Sequence, residues 1–290
     1  MTAPEDLDGV RRGRMYGFDA LIVETAHSTA AISIFGGQVL SFRAPADAAD
    51  ALWVSPSAAP PPTPIRGGIP VCWPYFAREG QPADMPSHGY ARTAQWQPVT
   101  GKITDTGDTE IELVPVGLDH LALRPRMTVR VGAVLEQGVH THNPGTDPVV
   151  LTEALHNYFR VSDVAAVRVE GLDGLTYLDK FDELRPHPQR GDWALPDDLP
   201  RSDRVYPDAG GTYRVVDPGL GRVIEISGRG ARTAVVWNPG EQGASSMADV
   251  GPHWREFLCV ETANVGPNVV EVAGGATHSM WQTISVSALE

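Results

Sequence analysis

The sequence predicts an all-β fold built from many short strands, arranged as a sandwich or a barrel. Glycine and proline, with 30 and 25 residues in a chain of 290, divide it into short segments along its whole length. Between them, the chain is rich in Val, Ile and Thr, and many segments alternate polar and apolar residues with period two, as half-buried strands do. Short strands with turn residues at close intervals are typical of sandwiches and barrels.

Helical patterns are scarce, with one or two turns predicted at Leu118–Leu123 and at His253–Phe257. A doubly wound α/β fold needs a helix after almost every strand, and this chain does not supply them. No GxGxxG follows a strand and no GxxxxGK[ST] occurs, so nucleotide-binding folds lack support. Examples of the segments rich in Val, Ile and Thr are Leu21–Thr25, Ala31–Phe35, Gln38–Phe42, Ile111–Val116, Met127–His142, Val149–Glu153, Ala166–Glu170, Tyr213–Val216, Val223–Ser227, Thr233–Trp237, Phe257–Glu261, Asn268–Val272 and Ser279–Val286.

The charge balance limits the partners that the protein can have. The formal net charge is −13 and the pI is about 5.1, which argues against nucleic acid and against an anionic membrane surface. A phosphorylated small molecule stays compatible with this charge, because a few arginines in one cleft create a local positive field.

The ends and the cysteines predict a cytoplasmic location. Cys72 and Cys259 have no near neighbour of their type, so we interpret them as free thiols in a reducing compartment. The first residues lack the apolar run of a signal peptide, and no apolar stretch is long enough for a transmembrane helix. We expect residues 1–13 to be a flexible tail and residues 14–290 to form a single domain.

The segment Ile65–Arg92 combines arginines with rigid turns. The Gly67-Gly68 pair permits close backbone approach or a positive φ. Beside such turns, Arg66 and Arg92 are candidates for binding an oxyanion, since arginine offers bidentate geometry to phosphate. The competing interpretation places both arginines in surface ion pairs.

Two segments contain candidate acid–base residues. In Leu151–Phe159, His156 stands among apolar residues and is either a hydrogen-bonded core histidine or a general acid, because imidazole titrates near neutral pH. In Phe257–Asn264, Glu261 follows four apolar residues. Burial would raise its pKa toward the range useful for a base, and the competing interpretation is a structural ion pair.

Two further features are weaker. Asp203, in what we predict to be a turn-rich stretch, could accept hydrogen bonds from sugar hydroxyls or be a solvated loop charge. His140 and His142, two residues apart on a predicted strand, point the same way and could bind a metal, with Glu153 or His156 as a further ligand.

Taken together, these segments resemble the aldose 1-epimerase family, and more closely its hexose-6-phosphate mutarotase branch. The similarity covers the chain from about residue 15 to the C-terminus. The motifs occur in the family's order and at about its spacing. They are RGGIPVCWPYF at 66–76, PSHGYAR at 86–92, LTEALHNYF at 151–159, DRVY at 203–206, WNP at 237–239 and FLCVETAN at 257–264.

The resemblance implies a large antiparallel β-sandwich of the galactose mutarotase type, with a shallow cleft and no cofactor or metal. His156 matches the catalytic histidine and Glu261 the catalytic glutamate. The other matches imply substrate-binding residues: Arg66, His88 and Asp203 for the sugar, and Arg92 with Ser87 in the hexose-phosphate branch. Relatives vary at the position of Ser87, often with glutamine.

The resemblance also implies a reaction, the interconversion of the α and β anomers of an aldose 6-phosphate, with D-glucose 6-phosphate as the first substrate to test. Glu261 would act as base and His156 as acid. We expect a monomer whose partner is a small sugar phosphate. The alternatives are a non-catalytic carbohydrate-binding protein on the same fold, and a metal-dependent β-sandwich enzyme that uses His140 and His142.

Overall fold

A computed structural model describes residues 2–44, 49–198 and 200–290, and it confirms the all-β prediction. The α-helix of the described residues is a single short one, Gly240–Ala244, and 3₁₀ helices span Pro4–Asp6, Ala91–Thr93, Lys180–Asp182, Gly251–Glu256 and Gly266–Asn268. No helix in these ranges is long and apolar enough to cross a membrane.

Strands make up most of the regular structure. In chain order they are β1 (Val10–Met15), β2 (Phe18–Glu24), β3 (Thr29–Ser33), β4 (Val39–Arg43), β5 (Val71–Cys72), β6 (Trp96–Ile103), β7 (Thr109–Pro115), β8 (Arg124–Val131), β9 (Leu135–His142), β10 (Val149–Leu151), β11 (Glu153–Leu155), β12 (Tyr158–Arg160), β13 (Arg168–Glu170), β14 (Thr176–Asp179), β15 (Arg185–Pro188), β16 (Trp193–Ala194), β17 (Ser202–Tyr206), β18 (Thr212–Asp217), β19 (Arg222–Arg229), β20 (Thr233–Asn238), β21 (Phe257–Asn264), β22 (Val270–Val272) and β23 (Thr277–Ala288).

Two large antiparallel sheets enclose the core. One has the order β16-β13-β18-β19-β23-β9-β8-β7-β6, and the other β15-β14-β17-β20-β21-β11-β5, with β12 also paired to β21. Strands β1–β4 form a third sheet, and β10 pairs with β22. Val139 and Ile284 of the nine-stranded sheet pack in one apolar cluster with Val236 and Val260 of the eight-stranded sheet.

Strand β21 is buried along its whole length. Successive side chains of a strand point to opposite faces. Leu258 and Val260 therefore enter the core, and Glu261 and Ala263 lie on the opposite face of the strand. This two-sided burial explains why the strand is a nearly continuous apolar run, and why the single acidic residue within it stands out.

Buried amides join the two large sheets beside the site. The Asn157 side chain donates to the Val260 carbonyl (2.9 Å) and to Gln282 Oε1 on β23 (2.9 Å). Gln282 donates back to Asn157 Oδ1 (2.9 Å) and to Gln137 Oε1 (3.3 Å). These bonds satisfy polar groups inside the core and fix the chain at the residue that follows His156.

Three local predictions were wrong. Residues 10–13, expected in a flexible tail, belong to β1, because Val10 is buried and the strand pairs with β2 in register from Val10 to Met15. Leu118–Leu123 forms turns and bends rather than a helix, and its two terminal leucines are buried. Asp203 lies on strand β17, not in a turn.

The Gly67-Gly68 pair has both properties predicted for it. The φ angles are +109° and +65°, and a Cβ at either glycine would lie 2.4 Å from a backbone oxygen, that of Trp53 or that of Val39. The pair therefore lets the chain before β5 lie against two neighbouring segments, which places Arg66 at the eight-stranded sheet.

We predict that Gly68→Ala lowers the free energy of unfolding by about 3 kcal/mol, because a left-handed backbone and a clash with the Val39 oxygen act together. Gly80→Ala is the matched control: its φ is +67° and nothing lies within 4 Å of the added Cβ. That variant should lose only about 1 kcal/mol. Urea unfolding measures both, and equal losses would contradict the close approach.

Candidate active site

A cleft of about 210 Å³ lies on the eight-stranded sheet and gathers most of the residues singled out in the sequence. Strands β17, β20 and β21 supply its floor, and the segments before β5, before β6 and between β11 and β12 supply its walls. Of the seven predicted site residues, Arg66, His88, His156, Asp203 and Glu261 line it.

Glu261 and His156 face each other in this cleft. Glu261 Oε1 lies 3.3 Å from His156 Nε2, and the two side chains are 1% and 11% exposed. The backbone N–H of His156 donates to the Pro70 carbonyl (3.0 Å), which fixes the segment that carries the ring. Within the described residues, Glu261 Oε2 and His156 Nδ1 are buried without a hydrogen-bond partner. Buried polar atoms are seldom left in this state, so a bound polar molecule would supply their partners.

Burial shifts the pKa values of the pair in opposite directions. It raises the pKa of Glu261 well above the ordinary value for a glutamate and lowers the pKa of His156 well below that for a histidine. Burial disfavours the ionised form of Glu261 and the protonated form of His156. Both shifts favour a pair that shares one proton between a carboxylate and an imidazole, which is the proton count of a coupled acid and base.

A series of aromatic and ionic contacts fixes the ring of His156. His156 stacks on Tyr158, with centroids 4.9 Å apart and planes at 11°. The Tyr158 hydroxyl accepts a hydrogen bond from Arg66 Nη1 (2.9 Å), and Arg66 Nε donates to Asp249 Oδ2 (2.9 Å). Trp237 meets the His156 ring edge-on at 5.9 Å. These contacts couple the orientation of the imidazole to that of a cation at the cleft wall.

His88 is held neutral beside this pair. Its φ is +63°, and its Nδ1 accepts a hydrogen bond from the Ala77 backbone N–H (3.2 Å). Burial, together with the positive charges of Arg92 and Lys180, lowers the pKa of His88 to about 3. An acceptor Nδ1 fixes the tautomer with hydrogen on Nε2, so this ring offers a hydrogen-bond donor to the cleft.

Arg92 and Ser87 do not line the cleft. Arg92 donates to the Ser87 carbonyl (2.6 Å), which ties the two residues together on the segment that carries His88. The Nε of Arg92 is buried without a partner among the described residues, and burial lowers the pKa of this guanidinium. An unpaired, partly desolvated arginine favours an anionic ligand.

The structure adds residues that sequence reasoning did not place in the site: Tyr158, Lys180, Trp237, Met247 and the Arg66 partner Asp249. Lys180 Nζ lies 3.4 Å from Asp203 Oδ1. One sequence signal could have marked Lys180, because the chain has only two lysines among its 23 basic residues.

The proposed metal constellation is not assembled. His140 and His142 lie on the nine-stranded sheet and line a separate cavity of about 670 Å³. The ring nitrogens of His140 lie within hydrogen-bond distance of Ser279 and Thr128, and Glu153 binds His278 instead. Across the three described ranges, no group of three or more His, Cys, Asp or Glu residues is placed to hold a metal ion.

Comparisons with known proteins show the family of this chain. The sequence profile described as aldose 1-epimerase matches residues 19–285. An Escherichia coli (strain K12) protein named "Putative glucose-6-phosphate 1-epimerase" is 31% identical over 271 residues, which cover 87% of this chain and 85% of that protein. A protein of the same name from Cenchrus ciliaris is 31% identical over 266 residues, covering 86% and 79%.

Solved structures share the fold. The crystal structure of a "putative mutarotase" from Salmonella typhimurium has a TM-score of 0.85 and 27% identity, over 98% of this chain and 95% of that one. A galactose mutarotase-like protein from Clostridium acetobutylicum has a TM-score of 0.68 and 12% identity over 96% and 98%, which shows the fold alone. This chain belongs to the aldose 1-epimerase family. The predicted sandwich of the galactose mutarotase type and the predicted enzyme class, a mutarotase-type isomerase, are confirmed.

We predict that His88 stays neutral at pH 5, where an ordinary histidine is mostly protonated, because burial and the nearby cations lower its pKa to about 3. Ring ¹⁵N NMR of histidine-labelled protein measures this. The His88 signals, assigned by their loss in His88→Asn, should show an acceptor Nδ1 throughout. A titration of this ring near pH 6.5 would contradict the burial and the tautomer.

Proposed function

We propose that this protein interconverts the α and β anomers of an aldose 6-phosphate, with D-glucose 6-phosphate as the foremost substrate. The observation that carries the proposal is the buried Glu261–His156 pair, which holds one acid and one base 3.3 Å apart with an unpartnered polar atom on each residue. Anomer exchange needs one proton removed and one delivered at the same time, and the pair has that composition.

In the proposed reaction the shared proton starts on His156 and Glu261 is ionised. Glu261 takes the proton from the C1 hydroxyl while His156 donates its proton to the ring oxygen. The bond between C1 and the ring oxygen breaks, C1 becomes an aldehyde, and rotation about the C1–C2 bond exposes its other face. Closure reverses both proton transfers and restores the enzyme, so no electron is gained or lost.

The remaining residues would orient the sugar. Asp203 would accept hydrogen bonds from hydroxyl groups, and the Nε2–H of His88 would donate one. Arg66 and Arg92 would bind the phosphate with Ser87 and keep it away from C1, so that binding energy fixes the orientation of the reacting carbon. The two curated relatives carry glucose 6-phosphate in their names, which supports a phosphorylated substrate.

A non-catalytic carbohydrate-binding protein is the weaker candidate. Binding alone does not require an acid and a base with displaced pKa values, whereas burial moves the pKa values of Glu261 and His156 toward each other. We further propose that the protein acts as a monomer in the cytoplasm. Its buried free thiols, Cys72 and Cys259, fit a reducing compartment. Size-exclusion chromatography with light scattering tests the monomer.

We predict that Glu261→Gln and His156→Ala each lower kcat about 10²–10⁴-fold and change substrate affinity by less than about tenfold, because these groups act mainly in the transition state. NMR saturation transfer on glucose 6-phosphate, with EDTA present, measures the exchange. Glu153→Gln is the matched control, because Glu153 is equally buried but does not line the cleft. Its Oε1 lies 2.8 Å from His278 Nε2. Full activity in Glu261→Gln would refute the mechanism.

We predict that Arg92→Ala and Arg66→Ala raise KM for glucose 6-phosphate by roughly tenfold or more, because each loses a charge-assisted contact to phosphate. KM for glucose should change much less. Arg78→Ala, which alters an exposed arginine that donates to the Met85 carbonyl, is the control and should leave both values unchanged. Equal effects on the two sugars would remove the support for phosphate recognition by these arginines.

A further inference from the structure

We propose that Lys180 is a positioning residue that keeps Glu261 in its ionised, base-competent form. The inference rests on the proposed function, because it assigns a role within the same acid–base pair. It starts from the observation that a lysine ammonium lines the cleft with Glu261 and is held there by contacts from two other elements.

A rigid turn between β14 and β15 directs Lys180 into the cleft. The Asp179 side chain accepts from the Phe181 N–H (2.8 Å), and its carbonyl accepts from the Leu184 N–H (2.8 Å). Glu183 and Leu184 both have left-handed backbones, at φ +52° and +59°, and these conformations reverse the chain into β15. Lys180 is the first residue of this turn, so its side chain leaves from a fixed backbone.

Contacts at the far end of the side chain fix the ammonium. Nζ lies 3.4 Å from Asp203 Oδ1 and 4.9 Å from the centroid of the Phe76 ring. The lysine side chain is 28% exposed and that of Asp203 is 19% exposed, so water screens this charge only in part. An ordered ammonium in a partly dry cleft acts on neighbouring carboxylates more strongly than a solvated one does.

The other cations around Glu261 do not lower the pKa of its carboxyl group as Lys180 does. His88, whose pKa is lowered to about 3, is neutral, and His156 is positively charged only when it carries the proton that it shares with Glu261. The guanidinium of Arg66 is bound by the Asp249 carboxylate. The titratable and charged groups that surround Glu261 are His156 and Tyr158 from the β11–β12 region, Lys180 and Asp203 from β14–β17, Cys259 on β21, Cys72 on β5, and Arg66, His88 and Arg92 from the segments flanking β5.

The energetic consequence follows from the opposing effects on this carboxyl group. Burial raises the pKa of Glu261, Lys180 lowers it, and Asp203 raises it by less than Lys180 lowers it. Without the ammonium, the shared proton would rest more often on Glu261, and the base of the reaction would be blocked. Lys180 therefore sets the fraction of enzyme that carries an ionised Glu261 at neutral pH.

The choice of lysine fits this role. Apart from Lys102, every other basic residue of the chain is an arginine, yet this position carries a compact ammonium on a flexible stem. Such a group concentrates its charge and leaves room for substrate. It also makes a clean experiment possible, because Lys102 provides the matched control: it pairs with Glu110 at 3.0 Å on the other sheet, with its side chain 55% exposed.

The first measurement is the titration of the Glu261 carboxyl group by ¹³C NMR of glutamate-labelled protein without substrate, with the signal assigned by its loss in Glu261→Gln. We expect the midpoint to rise by about one pH unit in Lys180→Met and in Lys180→Gln, because an opposite charge has been removed. Lys180→Arg and Lys102→Met should leave it in place. An unmoved midpoint in both neutral variants overturns the proposal, whether or not the protein is active.

The second measurement is the pH profile of kcat/KM for anomer exchange. The acidic limb reports protonation of the base, so it should move to higher pH in Lys180→Met, with about a tenfold loss on the limb, and should stay in place in Lys180→Arg. A uniform loss at every pH, or a shift that Lys180→Arg does not rescue, would mean a structural role. If the unmodified protein exchanges no sugar anomers while Glu261 still titrates as expected, the proposed function fails and the electrostatic effect stands alone.

Discussion

The structure depends on the burial of strand β21 on both of its faces. The strand pairs with β20 on one side and with β11 and β12 on the other, while Leu258 and Val260 fill the core beneath it. A glutamate in such a strand cannot be hydrated, so its protonation is governed by the few groups around it. The raised pKa of Glu261 follows from this burial, and the proposed acid–base pair with His156 depends on it.

A local concentration of positive charge is compatible with the anionic substrate that we propose for this acidic protein. The chain carries a net charge of −13, yet Arg66 and Lys180 line one cleft and Arg92 lies close behind it. Two of these cations are partly neutralised, by Asp249 and by Asp203. In the proposed function these cations both recognise the substrate and adjust the acid–base pair, and the net charge of the chain predicts neither role.

Much of the site could be predicted because its residues lie in short segments with unusual composition. Glu261 is conspicuous as a carboxylate inside an apolar run, and the glycine pair beside Arg66 signals a close backbone approach. Lys180 was marked only by the scarcity of lysine in the chain, and Asp249 gave no signal, since a lone aspartate in a polar loop is ordinary. Asp203 was assigned to a turn because its neighbours are polar, whereas pairing of β17 with β14 and β20 makes it part of a sheet.

The sequence by itself determined the all-β class and the family, and it singled out Glu261 and His156 as a candidate base and acid, because period-two alternation and contiguous motifs are local properties of the chain. Tertiary structure alone decided which charges surround the pair. Glu261, His156 and Lys180 come from three separate parts of the sequence, and their distances depend on strand order and register. Electrostatic effects fall off over a few ångströms, so the protonation of Glu261 is a property of the folded cleft and not of any segment.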